Sequence, residues 1–363
     1  MQTYNESKSA EAPAKRVKLE QIIESGRASA VSAIDRVLST VPVDRVVKAD
    51  VMDFHGDSQG LRVTYGDTTS RIHRNAFSQL AERANLPNEY AQRLQNEGAW
   101  GSALLADNFR TLYKHQDKAR YLTRTVGDEL RGFLSNRFRR IDSRPIIEAL
   151  ATESRAVGAV PVEGIYTDTR VALRILLPRV FEPVPGEFVA FGLDWQNSDY
   201  GNGAHTLREF LLRIWCANGA TVADTLREVH LGVRLEEGEE WSNRTYKLDT
   251  DRSISMVRDA VKNQLTAGKI EGRMLQIKAA SEAKLDAKEW GTKLKKMLGA
   301  GLAKEAVEAF SSADVEMLPP GQNLWRMSNA LSWLAGKDGI DGEKRIELNR
   351  AAGEVLQTLK KAA

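Results

Sequence analysis

The chain reads as an α+β protein, an antiparallel sheet domain with flanking helices and a helical C-terminal region. Three observations predict this. β-branched and aromatic runs separated by turn formers recur up to about residue 233, short blocks of apolar residues three and four apart lie among them, and helix formers dominate after about residue 250. With 363 residues, 42% hydrophobic and 28% charged, the composition is that of an ordinary globular protein with one large core or two domains. The composition shift divides the chain into a core domain over 19–250 and a helical region over 251–363.

Residues 1–18 are polar and small, with too little apolar surface to offset ordering entropy, and are expected to form a flexible tail. Leu19, Ile22, Ile23, Ala30, Ile34, Val37 and Leu38 then fall at helical spacing, predicting a helix over 19–38 that ends before Pro42. Residues 45–54 and 61–65 are β-rich and the turn formers of 55–60 lie between them, so a hairpin is expected. Asn75 is the candidate N-cap of a helix over 76–84, and Pro87 opens a second over 89–95. Residues 119–126 and 130–138 alternate apolar and basic side chains, as a half-buried antiparallel pair does. Asp142, Ser143 and Pro145 mark the start of a helix over 144–154. Strands over 160–166, 169–177 and 187–195, broken by Thr167-Asp168 and by the proline-rich 178–185, predict a meander. Near the C-terminus, Trp290, Leu294, Met297 and Leu298, then Leu324, Trp325, Met327, Leu331, Trp333 and Leu334, form helical stripes expected to pack on the sheet domain, self-association being the competing use.

The single cysteine, Cys216, excludes an intramolecular disulfide and a cysteine-based zinc site and fits a reducing compartment. Its neighbours Leu211, Leu212, Ile214 and Trp215 make it a packed small hydrophobe rather than a nucleophile. No apolar run approaches the roughly 20 residues that cross a bilayer, and Met1 to Glu6 lack the layout of a signal peptide. The expected location is the cytoplasm of a bacterial host, with no membrane partner.

Charge is concentrated rather than large. The chain carries +3 overall, whereas residues 108–144 hold ten basic residues against four acidic ones, a local net of +6. Arg120, Arg124, Arg131, Arg137, Arg139, Arg140 and Arg144 alternate there with Phe133 and Phe138, and Phe109, Tyr113 and Tyr121 lie nearby. Cations for phosphates beside rings for unstacked bases suit a nucleic-acid single strand; the plainer reading is a solvated strand face whose rings point into the core. In the polar run 197–203, Asn197, Ser198 and Asn202 could cradle a phosphate, but the Gly-Lys-Ser/Thr ending of a phosphate-binding loop is missing and a tight turn accounts for the composition. His205 and His230, with Asp194, Asp199 and Glu209, are residue types that ligate metals, yet no ligand spacing is present, so neither metal nor cofactor is expected.

Four motifs in order carry a resemblance. They are Leu134-Ser135-Asn136-Arg137-Phe138; Asn197-Ser198-Asp199-Tyr200-Gly201; Cys216-Ala217-Asn218-Gly219 followed by His230-Leu231-Gly232; and Trp325-Arg326-Met327-Ser328-Asn329-Ala330. The pattern resembles a phage/plasmid-like protein family classed as a domain of unknown function, over most of residues 45–360. The resemblance implies a mobile-element protein and supplies no catalytic residues. In that setting the basic stretch Pro13-Ala14-Lys15-Arg16-Val17-Lys18-Leu19, which looks like a nuclear-import signal, is a chance match. The leading expectation is a single-stranded nucleic-acid-binding protein, taking DNA first and RNA second, acting in annealing or recombination as a homo-oligomer. The alternatives are a protein-interaction factor such as a host-defence antagonist and a metal-dependent nuclease.

Overall fold

A computed structural model describes residues 3–214, 218–228, 242–312 and 318–361. Cys216 and His230 lie outside them. The fold is α+β, with two sheets and a helical C-terminal region.

The first sheet contains β1 (Val43–Lys48), β2 (Asp53–Asp57), β3 (Gly60–Tyr65), β4 (Thr68–Ile72), β5 (Arg120–Val126) and β6 (Glu129–Ser135) in the order β1-β5-β6-β4-β3-β2. All its steps are antiparallel except β4–β6. The expected hairpin is β2–β3, but the preceding β-rich stretch is not one strand. A 3-10 turn at Ala49–Val51 breaks it, where the Ala49 N–H donates to the Ala119 carbonyl at 2.9 Å, and its two halves end on opposite edges of the sheet. Helices α2 (Arg74–Arg83), α3 (Asn88–Gln95) and α4 (Gly98–Lys114) accompany this sheet, and Phe54, Phe77, Phe109, Tyr113 and Phe133 fill its core. Helix α4 has no counterpart in the sequence reading. The cap of α2 also differs: the His73 ring accepts the Asn75 N–H at 3.1 Å, and the Asn75 amide reaches away to the carbonyls of Arg131 and Tyr200.

The second sheet is the expected meander: β7 (Val160–Tyr166), β8 (Val171–Leu176), β10 (Glu187–Asn197), β11 (His205–Arg213) and β12 (Asn218–Glu228) in the order β12-β11-β10-β8-β7. The proline-rich connection adds a short strand, β9 (Phe181–Val184), beside β10. Helix α5 (Ser143–Val157) links the two sheets in sequence. Helix α1 (Ala12–Ser39) lies on β7, with Leu19 and Ile22 packed among Val162, Leu176, Phe188 and Phe210. It starts seven residues earlier than its apolar spacing predicts because Pro13 is accommodated in the first turn. The expectation of a free tail therefore fails for residues 3–18. The Tyr4 hydroxyl donates to the Leu265 carbonyl at 2.7 Å, Ser7 bonds to Val180 and Glu182, and Lys15 lies 5.3 Å from the Phe188 ring centre. The stretch resembling an import signal is thus helical, with Leu19 in the core.

Val189, Phe191, Leu193 and Trp195 line the opposite face of β10 and share one core with α5, α6 (Asn243–Gln264), α7 (Ala267–Glu282), α8 (Ala287–Leu298), α9 (Ala300–Ser311), α10 (Leu324–Ala335) and α11 (Gly342–Lys361). The C-terminal stripes pack as expected, and α10 is buried nearly all round. Its Trp325 Nε1–H donates to Glu187 (3.1 Å), a carboxylate that also takes a bidentate pair from Arg213. Arg326 donates to the carbonyl of Phe310 (2.8 Å), one that the end of α9 leaves open, and to that of Pro319 (2.7 Å) in the loop before α10. No described helix is long and apolar enough to cross a membrane.

Helix α1 can approach β7 because Gly164 has no side chain. A Cβ there would stand 2.6 Å from both the Ala33 methyl and the Ser29 carbonyl oxygen. Gly164→Ala is expected to cost about 1–3 kcal/mol by overpacking, read as a lower urea midpoint with an unchanged slope, whereas Gly268→Ala, with open space around it, is expected to leave the midpoint in place or raise it.

Candidate nucleic-acid interface

The charged strand pair β5–β6 does not present its arginines to solvent as a row. Arg124 is 1% exposed. Its Nε–H donates to Asp44 at 2.7 Å, one terminal nitrogen donates to Asp142 at 2.7 Å, and the other donates to the Asp199 carbonyl at 2.6 Å. Burial by itself weakens that charge, but the Asp142 and Asp44 carboxylates together outweigh it and hold the guanidinium ionised. Arg139 makes a bidentate pair with Asp249 (2.8 and 2.7 Å), and Arg140 lies 3.3 Å from Asp44 with its plane over Tyr246. Arg131 pairs with Glu129 at 2.7 Å.

The expected stacking rings are internal as well. Phe133, Phe109 and Tyr113 belong to the core of the first sheet, and Phe138 closes over Leu122 and Leu134 with Arg124 against its face. Arg124, Phe133 and Phe138 are therefore corrected from interface to interior, while Arg131, Arg139 and Arg140 are half-buried and held in ion pairs. The reason is geometric: the face of β5 and β6 that alternation marks as outward meets the 198–203 loop at Arg124, Gly132 and Leu134, and the residues after β6 meet the start of α6, both elements far away in sequence. Of the candidate residues, Arg137 and Arg144 are exposed, Arg144 beside Glu148, and Arg120 is half-exposed.

The polar loop after β10 is a structural clasp. The Asn197 amide donates to the Ile141 carbonyl (2.7 Å) and to the Ser143 hydroxyl (3.0 Å), while Ser198 donates to the Thr169 carbonyl (2.7 Å) and accepts from the Asn202 N–H (2.9 Å). The Asn202 amide reaches Thr169 and Glu343. Asn75 and Gln79 of α2 both donate to the Tyr200 carbonyl. Gly201 is required at φ +77°, where a Cβ would also lie 2.5 Å from Leu134. These bonds occupy the donors that a phosphate cradle would need. Asp199 caps α5 from outside, accepting the Ser143 N–H (2.9 Å) and hydroxyl (2.7 Å), a task that the sequence assigns to Asp142. Burial, with the Asp142 charge beside it, pushes the Asp199 carboxyl up to about 6 against the pull of Arg124.

The residues weighed as metal ligands are not brought together. Asp194 is bonded to Arg174 and Gln196, Glu209 is paired with Arg273, and His205 is buried against Trp195. Among the described residues, no group of three His, Cys, Asp or Glu side chains could hold a metal ion.

A different basic surface remains at this corner of the first sheet. Lys48 stands directly opposite Arg120 across β1–β5, Lys118 is two residues before Arg120, and Arg137 follows the end of β6. The Arg139–Asp249 and Arg140–Tyr246 contacts bring the first turns of α6 alongside, adding the exposed Arg244 and Lys247. Exposed carboxylates near the sheet end are Asp50 and Asp117. No signal within 108–144 could have found Arg244 and Lys247, because they reach the corner only through the long-range pairs of Arg139 and Arg140. Comparison with protein-family models, with curated proteins and with solved structures gives no match. The family resemblance rests on its motifs alone.

Two outcomes follow. Arg124→Leu is expected to lose about 1–3 kcal/mol of stability, since it leaves Asp44, Asp142 and the Asp199 carbonyl without their donor, while Arg137→Ala stays within about 0.5 kcal/mol of the parent; chemical denaturation of both variants reads the contrast. Asp199, whose folded pKa exceeds the ordinary aspartate value of 3.8, stabilises the fold most below about pH 4, and that contribution is lost as pH rises through about 6. Asp199→Asn, which keeps an acceptor for Ser143, is expected to flatten the stability profile between pH 4 and 7 by on the order of 2 kcal/mol, measured as urea midpoints across that range.

Proposed function

We propose that the chain is a nucleic-acid-binding protein of phage or plasmid origin that holds its ligand by the phosphates. The observation that carries this reading is the cluster of Lys48, Lys118, Arg120 and Arg137 at one end of the first sheet, with the exposed Arg244 and Lys247 on the turns of α6 that Arg139 and Arg140 hold. Phosphate contacts release condensed counterions, so a cluster of this kind binds a polyanion without reading its sequence. The motif resemblance to mobile-element proteins supports the same assignment. Phe133 and Phe138 are sealed in the core and the half-buried Tyr246 is held against Arg140, so the site offers charge with little stacking surface.

The reading has a distinctive signature. Contact with about four to six phosphates gives a slope of log K against log salt of roughly −3 to −4 for a single strand. Fluorescence anisotropy with a labelled single-stranded oligonucleotide and its duplex, at two salt concentrations, is expected to give salt-sensitive, micromolar binding to both with little preference between them. Lys48→Glu combined with Lys247→Glu is expected to weaken it about tenfold or more. Absence of binding at low salt, or equal binding by that variant, would overturn the proposal.

A further inference from the structure

A second surface lies in the C-terminal region, between α8 and α9. The two helices meet through Trp290 and Leu294 on one side and Ala303, Ala306 and Phe310 on the other, all part of the main core. On their outer side they leave a groove of about 420 Å³ whose floor is small and apolar, formed by Ala287, Gly291, Ala300, Ala303 and Val307. Small residues on facing helices let a third backbone approach closely, and an apolar furrow between two helices is the shape that receives the apolar stripe of another helix.

The rim gives the groove a sign. Lys288 and Lys295, seven residues apart and so on one face of α8, flank it on one side, and Lys304 flanks it on the other; all three are exposed. The single carboxylate on the rim, Glu308, lies 3.7 Å from Lys304. Cations that border an apolar floor select a ligand with apolar residues in its centre and carboxylates at its edges, because charge complementarity excludes like-charged partners and speeds encounter. We infer that the α8–α9 groove docks an amphipathic helix of a protein partner whose flanks are acidic. Glu289 and Lys293 on the adjoining face of α8 are paired with each other at 2.6 Å, Lys293 lying over the Trp290 ring, and Lys304 is paired with Glu308, so Lys288 and Lys295 carry the groove's net charge.

This inference goes beyond nucleic-acid binding and does not depend on it, since none of the groove residues belongs to the basic corner. A flexible polyanion could also be drawn to three lysines, but it has no use for the apolar floor. The two are separable by steric filling. A Cβ added at Gly291 meets only Val307, at the ordinary contact distance of 3.5 Å, so Gly291→Ala narrows the floor without strain, and Gly291→Leu fills more of it without changing charge, its melting curve reporting whether the helix pair is kept.

The test uses the full chain and a fluorescein-labelled helical peptide with leucines at i, i+4 and i+7 and glutamates on both flanks. A lysine-flanked version and a single-stranded oligonucleotide serve as comparators. The acidic peptide is expected to bind in the micromolar range and at least about tenfold more tightly than the lysine-flanked one. Gly291→Leu, and separately Lys288→Glu with Lys295→Glu, are each expected to weaken it about tenfold or more, with unchanged circular dichroism melting and unchanged oligonucleotide binding. Equal binding of the two peptides, insensitivity to Gly291→Leu, or displacement of the peptide by the oligonucleotide would overturn the inference. Loss of oligonucleotide binding in the parent protein would instead count only against the nucleic-acid reading.

Discussion

The buried guanidinium of Arg124 is the constraint around which the two sheets are arranged. A charge removed from water is tolerated only when carboxylates and carbonyls replace its hydration, and here they come from β1, from the residue that precedes α5 and from the loop after β10. No two of these contributors are neighbours in sequence. The pairing therefore fixes the edge strand of the first sheet, the connecting helix and the second sheet relative to one another. The same loop is gripped from the other side by Asn75 and Gln79 through the Tyr200 carbonyl. Because the arrangement is polar and directional, it specifies a single relative placement of the sheets, where an apolar contact would allow sliding.

The pattern recurs in the second sheet. Arg174 lies between Glu163 and Asp194 on neighbouring strands, Glu187 joins Arg213 to Trp325 of α10, and Glu209 meets Arg273 of α7. Charge that a sequence count assigns to the surface is in large part internal cross-linking. A local excess of arginine is then a poor measure of surface potential, since some of the partner carboxylates lie far outside the window counted: Asp44 is 80 residues from Arg124, and Asp249 is 110 from Arg139.

Local physics explains which parts of the fold were legible. The meander strands, the two short helices after the hairpin and the C-terminal stripes each announce themselves by periodicity or by turn chemistry, because what decides them lies within a few residues. The split of 45–54 does not, since Ala49–Val51 turns only to satisfy a bond with Ala119. Helix α4 was missed for a related reason. Its apolar residues spread over more than one face, with Leu105, Phe109 and Tyr113 inward and Trp100 and Leu104 exposed, which blurs the 3.6-residue period. The candidate interface failed on the most general point. Alternation along β5 and β6 correctly separates two faces, but it cannot say whether the second face meets water or the other half of the protein.

What survives is a surface whose chemistry is simpler than the sequence suggests. Lysines and arginines with little exposed ring surface beside them would interact with phosphates through counterion release, a term indifferent to base identity and nearly so to strandedness. Selectivity, where the protein has it, must then be supplied by another surface. The α8–α9 groove has the opposite balance, an apolar floor that contributes affinity through shape and a basic rim that sets the sign of its ligand. Its helices share a core with the second sheet, and the Arg124 junction ties that sheet to the basic corner. A partner seated in the groove would thus be held at a fixed place relative to a strand bound at the corner, because the connection between them runs through the buried Arg124 and its bonds to Asp44, Asp142 and the Asp199 carbonyl.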